Sequence, residues 1–108
     1  MHHWLWLAAA ILLEVSGTTC MKLSEGFTKP VSSISMFVLY AASFIALAFA
    51  LRGIDVGVAY AIWAGVGTAL VALIGVVYFG ESATLLKVLS IGLVVLGVIG
   101  LHLCAGER

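Results

Sequence analysis

Charged residues are few in this sequence. Five Lys or Arg and five Asp or Glu make up 9% of 108 residues, against roughly a quarter in an average globular protein. That excludes a soluble domain, which would need far more polar surface to cover a chain of this size. The two signs cancel to a formal net charge of zero. There is therefore no basic field for nucleic acid and no acidic tail. Proline occurs once, at Pro30, so no Pro-rich linker divides the chain. No nucleophile–base pair, phosphate loop or cofactor motif is present, which argues against an enzyme and against a bound cofactor.

What the sequence has instead is apolar length. Hydrophobic residues make up 64% of it. A bilayer core about 30 Å thick needs about 20 apolar residues in a helix. Four stretches meet this: about Trp4–Met21, Ser32–Leu51, Val58–Phe79 and Lys87–Cys104. The segments between them, KLSEGFTKPV, RGIDVG and GESATLL, hold Gly, Pro and most of the charges, as turns should. The expected fold is an all-α membrane protein, with residues 1–108 forming one domain of four transmembrane helices. A signal peptide is the competing reading of the first run. It fits badly, because the preceding MHH has no Lys or Arg and three further runs follow at once.

Four spans place both termini on one side of the membrane, together with the loop between spans 2 and 3. Arg52 and Arg108 fall on that side; Lys22, Lys29 and Lys87 fall on the other. Orientation follows the Lys/Arg bias, and here the bias is nearly absent. Two readings stay open: insertion in both orientations with pairing of opposed copies, or one weakly determined orientation. Cys20 and Cys104 lie at opposite membrane ends in this layout, too far apart for a disulfide within one chain. His2, His3, His102 and Cys104 share a side and carry zinc-type donors, but nothing fixes their geometry and no metal site is expected. The loop and terminal acids Glu25, Asp55, Glu81 and Glu107 read as solvated charges.

One carboxylate does not fit the pattern. Glu14 sits near the middle of WLWLAAAILLEVSGTTCM. A charge at a bilayer centre costs on the order of 3 kcal/mol on insertion scales, and such groups face cavities or partners. On a helix, Glu14 shares its face with Ala10, Ile11, Gly17 and Thr18. All but Ile11 are small, so that face can line a space. No Lys or Arg lies mid-span to pair with the carboxylate. Tyr60 and Trp63 share a face with Gly67 in span 3, and Tyr40 and Ser43 share one in span 2. An acid among aromatic rings suits a lipophilic cation, since the rings add cation–π attraction and apolar area. Four spans make a thin bundle for such a cavity, so a second copy is expected. Ser90 and Gly97, two turns apart, form a stripe on span 4 that serves either a dimer contact or packing within the chain. Gly65 and Gly67 mark either a kink or small-residue packing.

The stretch AAAILLEVSGTTCMKLSEGFTK, with GVAYAIWAGVG further on, resembles the small multidrug resistance transporters. The resemblance runs from about Trp4 to Leu103. It implies a four-helix subunit acting as an antiparallel homodimer, with membrane lipid around it, in a bacterial inner membrane. It implies that Glu14 of both subunits takes protons and substrate in turn, with no other coupling ion. It implies pocket roles for Tyr60 and Trp63, with Tyr40, Ser43, Ala10, Ile11, Gly17 and Thr18 as lesser lining residues.

Two subtypes divide the family. One exports quaternary ammonium and other aromatic cations, and the other guanidinium ions. The guanidinium type usually has Gly where this chain has Ala10, Trp where it has Gly17, and often Lys where it has His102. On these positions the chain resembles the quaternary ammonium type. The expectation is a proton-coupled exporter of lipophilic cations. The alternatives are a guanidinium-type exporter and one subunit of a heteromeric polyamine or drug exporter. An accessory protein held together by helix packing would explain the small residues but not Glu14.

Overall fold

The structure, a computed structural model, describes residues 2–105. Arg108 and Glu107, weighed above with the charges, lie outside the described residues. Four α-helices follow in order: α1 (His2–Leu23), α2 (Pro30–Ala50), α3 (Val56–Val77) and α4 (Leu85–Ala105). Each is long and apolar enough to cross a membrane. No strand occurs among the described residues.

Each helix begins two residues ahead of the apolar run that marks it. The reasons are local. Pro30 stands in the first turn of α2, where its missing N–H is no loss and its fixed φ suits a helix. Asp55 is the N-cap of α3, at φ −58° and ψ 139°. Thr84 precedes α4 and accepts the Lys87 N–H on its side-chain oxygen at 3.2 Å. That bond satisfies one of the free amide donors of a helix start.

The turn between α1 and α2 is built on Ser24, which is fully buried. Its hydroxyl donates to the Met21 carbonyl at 2.7 Å and accepts the Phe27 N–H at 3.1 Å. Its own carbonyl accepts from Thr28 and Lys29 N–H. The tight reversal places Glu25, Gly26 and Phe27 at φ of 51°, 74° and 69°. Only the glycine adopts that region without cost. The exposed Lys29–Glu25 pair at 2.9 Å spans the turn, a contribution of about 0.3–0.5 kcal/mol for such spacing.

The helices gather into two compact units, one of residues up to Gly53 and one from Ile54 on. In the first, α1 packs on α2. The Ser43 hydroxyl, buried, donates to the Ala10 carbonyl at 2.7 Å. Trp6 stacks on Phe49 with ring centroids 4.8 Å apart, and the His3 ring lies against Gly53. In the second, α3 packs on α4. Gly65 takes the contact: a Cβ there would lie 2.5 Å from Val98 Cγ2 and 3.4 Å from Val94 Cγ1. The helix stays unbroken through Gly65–Gly67, so Gly65 serves close approach of α4. After α3, Glu81 turns back so that its N–H bonds the Gly75 carbonyl at 3.0 Å and its carboxylate covers Gly75.

Candidate functional site

Leu7, Ala10, Ile11, Val15 and Gly17 form the buried side of α1. Spacings of three, four and seven residues keep them on one face of a helix. Glu14 lies within the arc of this face and is half-buried. One turn on, the Thr18 hydroxyl donates to Glu14 Oε1 at 3.2 Å. The same Thr18 oxygen lies 2.6 Å from the Tyr40 hydroxyl of α2.

A threonine hydroxyl has one proton to give. When Thr18 gives it to the carboxylate, the short bond to Tyr40 must run from the phenol to Thr18. The result is a chain of donors, Tyr40 to Thr18 to Glu14, that ends on one carboxylate oxygen. Protonated, the carboxyl can itself become a donor, and the chain can run the other way.

Gly17 makes this possible. A Cβ at that position would lie 2.6 Å from Tyr40 Cδ1 and 2.7 Å from Cε1. The phenol ring thus meets the glycine with its Cδ1–Cε1 edge, and its hydroxyl reaches Thr18. The remaining sequence candidates of this unit are in different roles. Ser43 spends its proton on the Ala10 carbonyl, and Ala10 and Ile11 are buried.

In the second unit, Tyr60 and Trp63 lie side by side on α3. Their ring centroids are 5.4 Å apart and the planes tilt by 41°. Trp63 is half-buried, while Tyr60 is 59% exposed. Gly67, one turn on, is buried. Ser90 and Gly97 are exposed on α4, and a Cβ on Gly97 would meet nothing within 4 Å. Among the described residues, no three His, Cys, Asp or Glu side chains converge on a metal-sized site.

Two features escaped sequence reasoning. Thr18 was legible as a lining residue but not as the link between Glu14 and Tyr40, because its partner is 22 residues away. Leu7, 2% exposed, continues the Glu14 face two turns back, and its spacing of seven residues could have found it.

The family model described as Small Multidrug Resistance protein matches residues 2–94. The multidrug resistance protein EbrB of Bacillus subtilis is 46% identical over 98 residues, which is 91% of this chain and 84% of that one. The multidrug transporter EmrE of Escherichia coli is 43% identical over 103 residues, 95% of this chain and 94% of that one. A guanidinium exporter of Yersinia pseudotuberculosis is 43% identical over 102 residues, 94% of this chain and 98% of that one.

Proposed function

This chain belongs to the small multidrug resistance family, and from that membership we propose that it is a proton-coupled exporter of lipophilic and quaternary ammonium cations. The coarser statement, a multi-pass membrane transporter of the efflux type and not an enzyme, follows from the family and the four spans. The observation that carries the finer reading is Glu14: a half-buried carboxylate in an apolar helix, bonded by the Thr18 hydroxyl and through it linked to Tyr40.

In the proposed mechanism two copies pair antiparallel in a bacterial inner membrane, and their Glu14 carboxylates share one chamber. Protons and an organic cation then compete for the same carboxylates, and that competition is the coupling. From the cell interior the cation displaces protons. The dimer exchanges which side is open, and protons from outside displace the cation.

Tyr60 and Trp63 supply ring faces to the cation. Thr18 and Tyr40 hold the unliganded carboxylate by the donor chain and release it as a cation arrives. Gly65 serves the α3–α4 contact, Gly67 leaves room on the face of Tyr60 and Trp63, and Ser90 with Gly97 offers an open α4 stripe to the second copy.

Gly17 supports the choice of subtype. The Tyr40 ring occupies the space above it, so an indole at that position would evict the phenol. The guanidinium reading is kept as the alternative because a guanidinium exporter is as similar to this chain as EmrE is, 43% in both cases.

The test is transport. Vesicles holding the protein and given an inward-acid pH gradient should drive tetraphenylphosphonium against its own gradient, and guanidinium far less. Guanidinium movement without tetraphenylphosphonium movement would select the alternative. Movement of neither, in vesicles where the protein is inserted and helical, would refute the exporter reading.

A further inference from the structure

A groove between α3 and α4 plays no part in the proposed transport. It holds about 220 Å³. One face of α3 lines it with Ala72, Leu73 and Val76, and one face of α4 with Lys87, Val88 and Ile91. Spacings of three and four residues place each set on a single helix face. The groove is apolar along its length, and Lys87 is its one charged lining residue.

Lys87 stands in the first turn of α4 and donates to the Ser82 carbonyl at 2.7 Å. An ammonium has three protons to give, so two stay available at the groove's end. The positive end of the α4 dipole lies at the same place and adds to the attraction for an anion.

We propose that this groove binds an anionic phospholipid, with one acyl chain along Leu73, Val76, Val88 and Ile91 and the phosphate at Lys87. Charge complementarity selects this occupant. A helix of a second copy would fill the apolar part but brings no carboxylate along the groove itself, the acids Glu25, Asp55 and Glu81 standing in turns outside the helices. Neither α2, α3 nor α4 contains an Asp or Glu, and α1 contains only Glu14. A lipid offers both parts in one molecule: a chain for the groove and a phosphate for the lysine. Lys87 also lies at a helix end, where a long cationic side chain reaches the headgroup level.

The experiment is native mass spectrometry of the detergent-solubilised protein titrated with phosphatidylglycerol and with phosphatidylcholine of the same chains. One basic residue near a membrane surface is worth about fivefold in preference for an anionic lipid. The expected result is phosphatidylglycerol retained about that much better per subunit. Lys87→Gln should erase the preference and Lys87→Arg should keep it. Leu73→Trp, which fills the groove without touching the charge, should lower retention of the lipid itself. Glycerol phosphate, the headgroup without tails, should not compete.

Equal retention of the two lipids by the unaltered protein would overturn the proposal. So would a preference that survives Lys87→Gln, retention indifferent to Leu73→Trp, or displacement by glycerol phosphate. Circular dichroism of each variant, with helix content unchanged, separates these outcomes from misfolding. Because the readout is lipid retention and not transport, it stands or falls apart from the exporter reading.

Discussion

The two helix pairs of this protein are joined by different means. Between α1 and α2 the contact is pinned by polar bonds: Ser43 to the Ala10 carbonyl, and Tyr40 to Thr18. Between α3 and α4 the contact rests on the missing side chain of Gly65, against Val98 and Val94. The first pair contains the carboxylate, and its hydroxyls do two jobs, holding the helices and facing Glu14. In the second pair, Thr68 bonds the Ala64 carbonyl within α3 and Lys87 bonds the Ser82 carbonyl of the preceding turn. That pair leaves a groove and an α4 on which no residue from Leu85 to Cys104 is buried. Polar pins give a fixed geometry around a charge. A seam of small and branched apolar residues gives close approach and leaves faces open for something else in the membrane.

That contrast can be broken at its extremes. The largest effect is expected at Gly17. Gly17→Trp places an indole where the Tyr40 ring lies, and overpacking of this kind costs about 1–3 kcal/mol. Tetraphenylphosphonium affinity should fall about tenfold or more, measured by titration calorimetry in detergent. Affinity unchanged would mean that the Tyr40 ring has another place to go.

Gly65→Leu comes next. It drives a branched side chain into Val98 and should destabilise the α3–α4 pair by about 1–2 kcal/mol, read from denaturant unfolding in micelles. Gly97→Leu, on the open face of α4, should leave the same unfolding curve in place and so sharpens the comparison. Ser43→Ala should have the smallest effect, about 0.6 kcal/mol, the average for a hydrogen bond between membrane helices. A loss several times larger would show that this bond fixes the site as well as the helices.

The sequence and the structure agree most where composition alone decides. A 64% hydrophobic chain with its charges collected in short turns has few alternatives to apolar helices in a bilayer. Glu14 stood out for the same reason, as an exception to that rule. The Glu14–Thr18 contact was legible too, because four residues apart on a helix is a neighbour.

What could not be read depends on partners far along the chain. Ser43 looks like a free hydroxyl beside Tyr40 until its acceptor, 33 residues away, is known. Gly17 reads as a small lining residue until the Tyr40 ring is seen against it. The left-handed Glu25 and Phe27 carry no turn signal of their own; the buried Ser24 hydroxyl imposes their conformation by its bonds to both sides. The helix starts at Pro30 and Leu85 come from backbone chemistry, which an apolar run does not report.

The central claim is that Glu14 is the one site for which proton and cation compete. Its most direct test is proton release from detergent-solubilised protein, in weak buffer, on addition of tetraphenylphosphonium. The account predicts a burst of protons from the unaltered protein, a burst with a shifted pH dependence from Glu14→Asp, and none from Glu14→Gln. Undiminished release from Glu14→Gln would contradict it, because the protons would then come from a group other than the carboxylate in the middle of α1.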